Sequence, residues 1–167
     1  MQSIHKDMED FQRQLKNGSI QRAYRDLLSY MMELRTHFKN KYTGFSVSAL
    51  YQGYMDMTYF AISSQTLSQR DLKIAIVFNY EAFCFEAWLA GRNRKINRQY
   101  WELFKEQDWL EYRIVKPGKG VDSIVECDLA KGFQLSDKAA LTKIIEAEVG
   151  TFIDNIEVFF HEGRTTA

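Results

Sequence analysis

The chain has 167 residues, of which 46% are hydrophobic and 26% are charged, and its formal net charge at pH 7 is zero. This length and composition are typical of one folded domain and argue against intrinsic disorder, so a single domain over 1–167 is expected. The neutral balance disfavours nucleic acid as a partner, and the absence of long apolar runs disfavours a membrane partner. Because the N-terminal segment has no apolar signal core, we expect a cytoplasmic protein.

The first forty residues predict a helical hairpin. Residues 4–16 are predicted to be helical because their apolar side chains recur at the spacing of one helical face. These side chains are Ile4, Met8, Phe11 and Leu15. Asn17 and Gly18 are suited to end this helix, and Ser19 is suited to cap a second helix over 20–40. Two helices joined so closely are expected to pack side by side.

The middle of the chain predicts an antiparallel sheet of about five strands. Residues 54–62 alternate in the manner of a strand, with Met57 and Tyr59 on one face and Asp56 and Thr58 on the other. Four further strands are predicted over 72–78, 83–90, 109–115 and 121–129. The nearly uniform apolar character of the first of these four is typical of a central strand.

Two further helices complete the predicted fold. One covers 93–107, and the other runs from a cap at Ser136 and Asp137 to about His161. Pro and Gly in 116–120 predict a turn between the last two strands. The expected fold is therefore a single α+β domain with an N-terminal helical hairpin, a middle helix and a long C-terminal helix.

A cluster of basic residues provides one candidate site. Four of them fall within seven positions, at the predicted start of the middle helix. They are Arg92, Arg94, Lys95 and Arg98. Cations in the first turn oppose the helix dipole and need a compensating anion, which free backbone N–H groups at that end can also bind. The alternatives are plain solvation and pairing within the fold, for which the candidate acidic residues are Glu146, Glu148, Asp154 and Glu157.

Acidic residues of the predicted sheet provide a second candidate site. Asp56 and Glu86, with Tyr54 nearby, are candidate catalytic residues for acid–base or metal-dependent chemistry. The alternatives are a solvated sheet face and a polar network in which Asp56 pairs with Arg92. The histidines are sparse and the sequence contains no known cofactor-binding motif, so no metal site and no cofactor are predicted.

Several blocks of the chain carry a resemblance to a known family. They are LYQGYMDMTYF (50–60), LKIAIVFN (72–79), FEAWLAGRNRKI (85–96), YWELF (100–104) and GVDSIVE (120–126). These blocks resemble a family of small stand-alone bacterial proteins classed as a domain of unknown function, over roughly residues 8–160. The resemblance implies a stand-alone cytoplasmic protein and assigns no activity and no catalytic residue.

The favoured interpretation is a non-enzymatic module that binds a small anionic molecule or a protein partner. The anion would be held at the start of the 93–107 helix by the basic cluster. One alternative is a small enzyme, a hydrolase or a metal-dependent protein, that uses the carboxylate pair. A second alternative is a structural protein that self-associates. Cys84 and Cys127 are predicted to be buried thiols and not a disulfide.

Overall fold

The computed structural model of the protein describes residues 3–163, so the predicted domain limits at 1 and 167 lie outside the described residues. The helices are α1 Ile4–Lys16, α2 Ser19–Lys41, α3 Gln65–Ser68, α4 Arg94–Glu106 and α5 Lys138–Glu162. The strands are β1 Ser46–Val47, β2 Tyr51–Gln52, β3 Met57–Ser63, β4 Leu72–Asn79, β5 Cys84–Gly91, β6 Arg113–Ile114 and β7 Val125–Ala130. The predicted α+β class is confirmed. Across this part of the chain, the helices are all too short or too polar to cross a membrane.

The strands form one antiparallel sheet in the order β1-β3-β4-β5-β7-β6, and β2 also pairs with β3. β4 lies in the middle and pairs along its whole length with β5, which fits its almost uniformly buried residues. The sheet has seven strands where about five were predicted. The additional strands β1 and β2 contain two residues each, which is too short for alternation to signal them.

Two of the predicted strands are shorter than the sequence pattern indicated. β3 begins at Met57 and not at residue 54, because Met55 has a φ of 59° and the chain bends there. The strand predicted over 109–115 is reduced to Arg113–Ile114. Alternating apolar residues satisfy a strand pattern even where the backbone makes no ladder, so the pattern overestimates the length of these two strands.

The helix ends differ from the predictions in one detail. Gly18, with a φ of 69°, is the N-cap of α2, so the predicted cap Ser19 is already the first helical residue. Asp137 is the N-cap of α5 as predicted, and its side chain accepts the backbone N–H of Ala140 at 3.0 Å. The helix then continues without a break through Gly150.

One side of the sheet, the covered side, packs against α2 and α5 and forms the core. Its strand residues include Phe60, Ile74, Ile76, Phe85 and Leu89, all fully buried. The alternate residues form the open side and contribute nothing to that buried cluster within residues 3–163. The larger residues of the open side are Met57, Tyr59, Lys73, Glu86 and Trp88. The two buried free thiols predicted at Cys84 and Cys127 are confirmed.

Candidate anion-binding site

The candidate site begins where β5 ends and α4 starts almost immediately. Asn93 is the N-cap of α4, and its side chain accepts the backbone N–H of Ile96 at 3.0 Å. A Cβ on Gly91 would lie only 2.6 Å from Cγ2 of Ile96 and 2.9 Å from Oδ1 of Asn97. Because only glycine tolerates so close an approach, Gly91 allows α4 to begin directly against the end of β5.

Asn97 joins three segments of the chain at this point. It is 8% exposed, and its Oδ1 accepts the backbone N–H of Gly91 at 2.6 Å. Its Nδ2 donates to the carbonyl oxygen of Asp122 at 3.3 Å, in the connection between β6 and β7. A buried amide that is hydrogen-bonded at both ends fixes the position of the first turns of α4.

Two adjoining cavities, of about 270 and 240 Å³, flank the first turns of α4, and both are lined by Arg94 and Asn97. Together they are called the basic groove, because basic side chains dominate the charged part of the lining. The basic residues are Lys73, Arg92, Arg94, Arg98 and Lys119. Asp122 is the one acidic residue that lines either cavity, as far as residues 3–163 are concerned. The groove therefore has a strongly positive local charge in a chain of zero net charge.

Within the described part of the chain, these five basic residues form a single ion pair. Nη1 of Arg92 lies 3.2 Å from Oδ1 of Asp71, with the two side chains 72% and 41% exposed. An ion pair so open to solvent contributes little, typically about 1 kcal/mol or less. The groove thus retains most of its positive charge for a ligand.

The floor of the first cavity is the open side of the sheet. Tyr59 and Trp88 supply aromatic surface, and Nζ of Lys73 lies 5.9 Å from the centre of the Tyr59 ring. Burial raises the pKa of the Tyr59 hydroxyl, with smaller contributions from Tyr51 and Asp122, so the hydroxyl stays neutral at ordinary pH. The groove therefore combines cations with flat apolar surface.

Glu86 holds Trp88 in place on this floor. The Glu86 side chain is on the open side but buried, and its Oε2 accepts the indole N–H of Trp88 at 2.7 Å. The thiol of Cys84 donates to Oε1 at 3.5 Å. Burial, followed by the charge of Glu86, raises the pKa of Cys84 to about 11, so this thiol stays protonated and unreactive. Glu86 is thus a positioning residue for the indole.

The predicted carboxylate pair is not brought together. Asp56 lies outside β3, is exposed, and turns its Oδ1 back to accept the N–H of Met57 at 2.7 Å. Glu86 is in register with Val77 and Tyr59, which places its Cα about 14 Å from that of Asp56 by ordinary sheet spacings. No group of three or more histidine, cysteine or acidic residues assembles into a metal-binding arrangement in the described residues.

Tyr54, the third of these candidates, also lies away from Glu86. It falls in the bend before β3, where its side chain is 97% exposed. Asp56 lines another cavity together with Met55 and Tyr80, which shares Met57 and Trp88 with the groove, and Glu86 does not line it. None of the cavities described above therefore holds Asp56, Glu86 and Tyr54 together.

Three of the four predicted basic residues line the groove, namely Arg92, Arg94 and Arg98. Lys95 is exposed in the first turn of α4 and lines neither cavity.

Two of the four acidic partners proposed for the basic cluster, Glu146 and Glu157, contact other residues. Glu146 contacts His37 and Lys41 of α2. Glu157 accepts the hydroxyl of Ser64 at 2.5 Å and lies 3.7 Å from Nε2 of His161. None of the four proposed acidic residues forms an ion pair with the basic cluster in the described structure, and Asp56 does not pair with Arg92 there.

Sequence reasoning missed the contribution of Lys73 and Lys119 to the groove. Lys73 is the one charged residue in the apolar strand LKIAIVFN, a signal that could have marked a functional position. Lys119 lies in the predicted turn over 116–120, where a lysine is not unusual, so it gives no such signal. Both converge on α4 only through the strand order, because β4 pairs with β5 and the connection from β6 to β7 reaches Asn97.

The model of the family described as Domain of unknown function (DUF7000) matches residues 4–160. This match agrees with the resemblance identified in the sequence blocks. No curated protein and no solved structure matches the chain at a significant level.

Proposed function

We propose that this chain, which belongs to the DUF7000 family, is a non-enzymatic module that binds a small anionic molecule in the basic groove. The observation that carries the proposal is the set of five basic side chains that line two adjoining cavities, against one acidic side chain, Asp122, which lines only the first of them. Only Arg92 among the five forms an ion pair with a residue of the described structure. An anion in the groove would balance the remaining charge.

The position of Arg94 supports an anion at the start of α4. Arg94 lies in the first turn, where the positive end of the helix dipole makes a cation unfavourable by about 0.3–1 kcal/mol. The backbone N–H groups of Arg94 and Lys95 have no acceptor within the helix and are oriented to bind an anion, whereas that of Ile96 is already capped by Asn93. A bound anion therefore interacts favourably with the side chain and with the helix end, and offsets the cost of placing Arg94 there.

The floor of the groove supports a ligand with a flat ring beside its anionic group. Tyr59 and Trp88 offer aromatic surface next to Lys73 and Arg92. Base or ring stacking on such surface contributes about 1–3 kcal/mol. Adenosine monophosphate is a suitable probe because it carries both features, whereas inorganic phosphate carries the charge alone.

Several observations favour binding over catalysis, and one favours a location in the cytoplasm. Glu86 is committed to Trp88, and Asp56 lies in a different cavity, so the groove does not contain a carboxylate pair. Cys84 and Cys127 are buried free thiols, which fits the reducing conditions of the cytoplasm. A cytoplasmic location is accordingly part of the proposal.

Thermal unfolding with and without probes tests the proposal. We expect inorganic phosphate, citrate or adenosine monophosphate at millimolar concentration to raise the melting temperature, because a ligand that binds only the native state stabilises it by mass action. The effect should weaken with added sodium chloride, since salt screens the ion pairs with the exposed arginines. Adenosine monophosphate should have the largest effect if the aromatic floor contributes.

The variant Arg94→Ala/Arg98→Ala removes two cations of the groove and should abolish the shift. The matched control Lys39→Ala/Lys143→Ala removes two exposed cations that do not line the groove and should retain it. Without ligand, Arg94→Ala should be as stable as the parent or more stable by a few tenths of a kcal/mol, because it relieves the unfavourable interaction with the helix dipole. A probe shift that survives in the arginine variant, or no shift with any probe, would overturn the proposal.

A further inference from the structure

The side chains of helix α1 are largely exposed to solvent. None of its residues is buried, and the apolar residues Ile4, Met8 and Phe11 are 76%, 57% and 49% exposed. They form one stripe along the helix because their spacing matches its period. An isolated helix of 13 residues is only marginally stable in water, so a helix of this kind is expected to be stabilised by a surface that covers its apolar stripe.

A second uncovered apolar surface lies at the N-terminal half of α2. It is a cavity of about 470 Å³, here called the apolar cavity. Its lining includes Tyr24, Leu27, Phe78, Phe83, Phe133 and Leu135. Asp26 is the one charged residue of the lining within the described structure. The cavity is therefore suited to an apolar helix face.

The rim of the apolar cavity exposes large hydrophobic side chains. Phe83 is 65% exposed and Met55 is 49% exposed. Both residues have positive φ angles, of 52° and 59°, which is energetically unfavourable for residues other than glycine. Strained backbone that holds hydrophobic side chains at a rim is a frequent feature of binding surfaces.

The apolar stripe of α1 does not cover this cavity in its own chain, because no residue of α1 lines it. The connection between α1 and α2 is only Asn17 and Gly18, and Gly18 has a φ of 69°. One chain thus presents an uncovered apolar helix and, just beyond the connection, an uncovered apolar cavity.

We propose that two copies of this chain form a symmetric dimer in which each α1 places its apolar stripe in the apolar cavity of the other copy. A two-fold arrangement of this kind satisfies both surfaces of both copies at once, as in domain-swapped dimers. α1 is about 20 Å long at 1.5 Å per residue. The two contacts are of the helix-in-groove kind, in which the apolar face of an amphipathic helix lies in a hydrophobic groove.

The charge distribution favours a second copy over a membrane surface. The polar residues of α1 include three basic ones, Lys6, Arg13 and Lys16, and three acidic ones, Asp7, Glu9 and Asp10. Interfacial membrane helices are instead rich in Lys and Arg, which attract anionic lipids. Two copies of a chain with zero net charge also approach each other without net repulsion.

Sedimentation or light scattering of the full chain tests this inference, over concentrations on the order of 5 to 100 μM, which detect a micromolar Kd. We expect a mass near twice 19.6 kDa for the parent chain. Two variants should each shift the equilibrium to monomer by at least tenfold in Kd. The arm variant is Met8→Glu/Phe11→Glu in α1, and the cavity variant is Phe83→Asn at the rim of the apolar cavity. Asn tolerates the positive φ of position 83, and both sets of side chains are exposed, so the monomer fold should persist by circular dichroism.

The control Leu110→Glu makes the same kind of change at a residue that is 80% exposed and belongs to neither surface, and it should leave the dimer intact. Mixing the arm variant with the cavity variant should restore a weak heterodimer, because each retains one surface of a matching pair. A parent chain that stays monomeric, a dimer that survives either variant, or equal disruption by Leu110→Glu would overturn the inference. Loss of dimer in the arm variant alone would show that the arms pack on each other and would overturn it as well.

Discussion

The two sides of the sheet are made by alternate residues of the same strands and differ in what covers them. Phe60 on the covered side is fully buried against α2 and α5, whereas its neighbour Tyr59 on the open side lines the basic groove. Likewise Ile74 is buried in the core, and Lys73 next to it faces the groove. The covered side therefore supplies most of the stability, and the open side is available for binding.

The largest expected effect separates the two sides at adjacent positions of β3. Phe60→Ala should lower the free energy of unfolding by about 3–5 kcal/mol, because it leaves a cavity in the core. Tyr59→Ala should lower it by less than half as much, since that side chain is only partly buried. Urea unfolding measures both losses, provided that the m-values of the variants equal that of the parent chain. Equal losses at the two positions would remove the distinction between the sides.

A smaller effect is expected where the open side meets α4. Gly91→Ala should cost about 1–3 kcal/mol, because the new Cβ overlaps Ile96 and Asn97 and the helix start must move. Gly44→Ala is the matched control, since a Cβ at Gly44 would meet nothing within 4 Å. Thermal unfolding of both variants is the measurement. A Gly91→Ala variant as stable as Gly44→Ala would show that β5 and α4 do not need this close approach.

The smallest effect concerns charges that are paired between α2 and α5, in contrast with those of the basic groove. The hydrogen bond from Lys41, followed by that from His37, lowers the pKa of Glu146 below its usual value of 4.5. A lowered pKa in the folded state means that this contribution to stability is present above pH 4.5 and is lost as the pH falls below it. Because the Glu146 side chain is 25% exposed, the contribution should be about 1 kcal/mol or less.

Glu146→Gln should accordingly reduce stability at pH 7 and flatten its decline between about pH 5 and pH 3, the range in which a carboxylate of lowered pKa becomes protonated. Glu148→Gln, a change at an exposed residue of the same helix, is the control and should do neither. Chemical unfolding across this pH range makes the comparison. Identical pH profiles for the parent chain and Glu146→Gln would mean that the contacts with Lys41 and His37 do not stabilise the fold.

The periodicity of the sequence predicted the helices better than the edges of the sheet. The stripes of α4 and α5 were recognisable because burial against one surface requires apolar residues every three or four positions. The limits of β3 and β6 were not, because a bend at Met55 and the shortness of β6 depend on what each strand pairs with. The basic cluster was visible as a sequence run, although Lys95 within it lines neither cavity.

The α+β class, the apolar face of each long helix and the concentration of positive charge at the start of α4 could be predicted from local sequence patterns. That Lys73 and Lys119 join this charge, that Glu86 orients Trp88, and that Asp56 lies far from Glu86 became evident in the folded chain. The reason is that local patterns record which side of an element is apolar, whereas strand order and register depend on contacts between residues distant in the chain. The same limit applies to α1, whose apolar stripe was evident in the sequence, whereas the exposure of Ile4, Met8 and Phe11 was not.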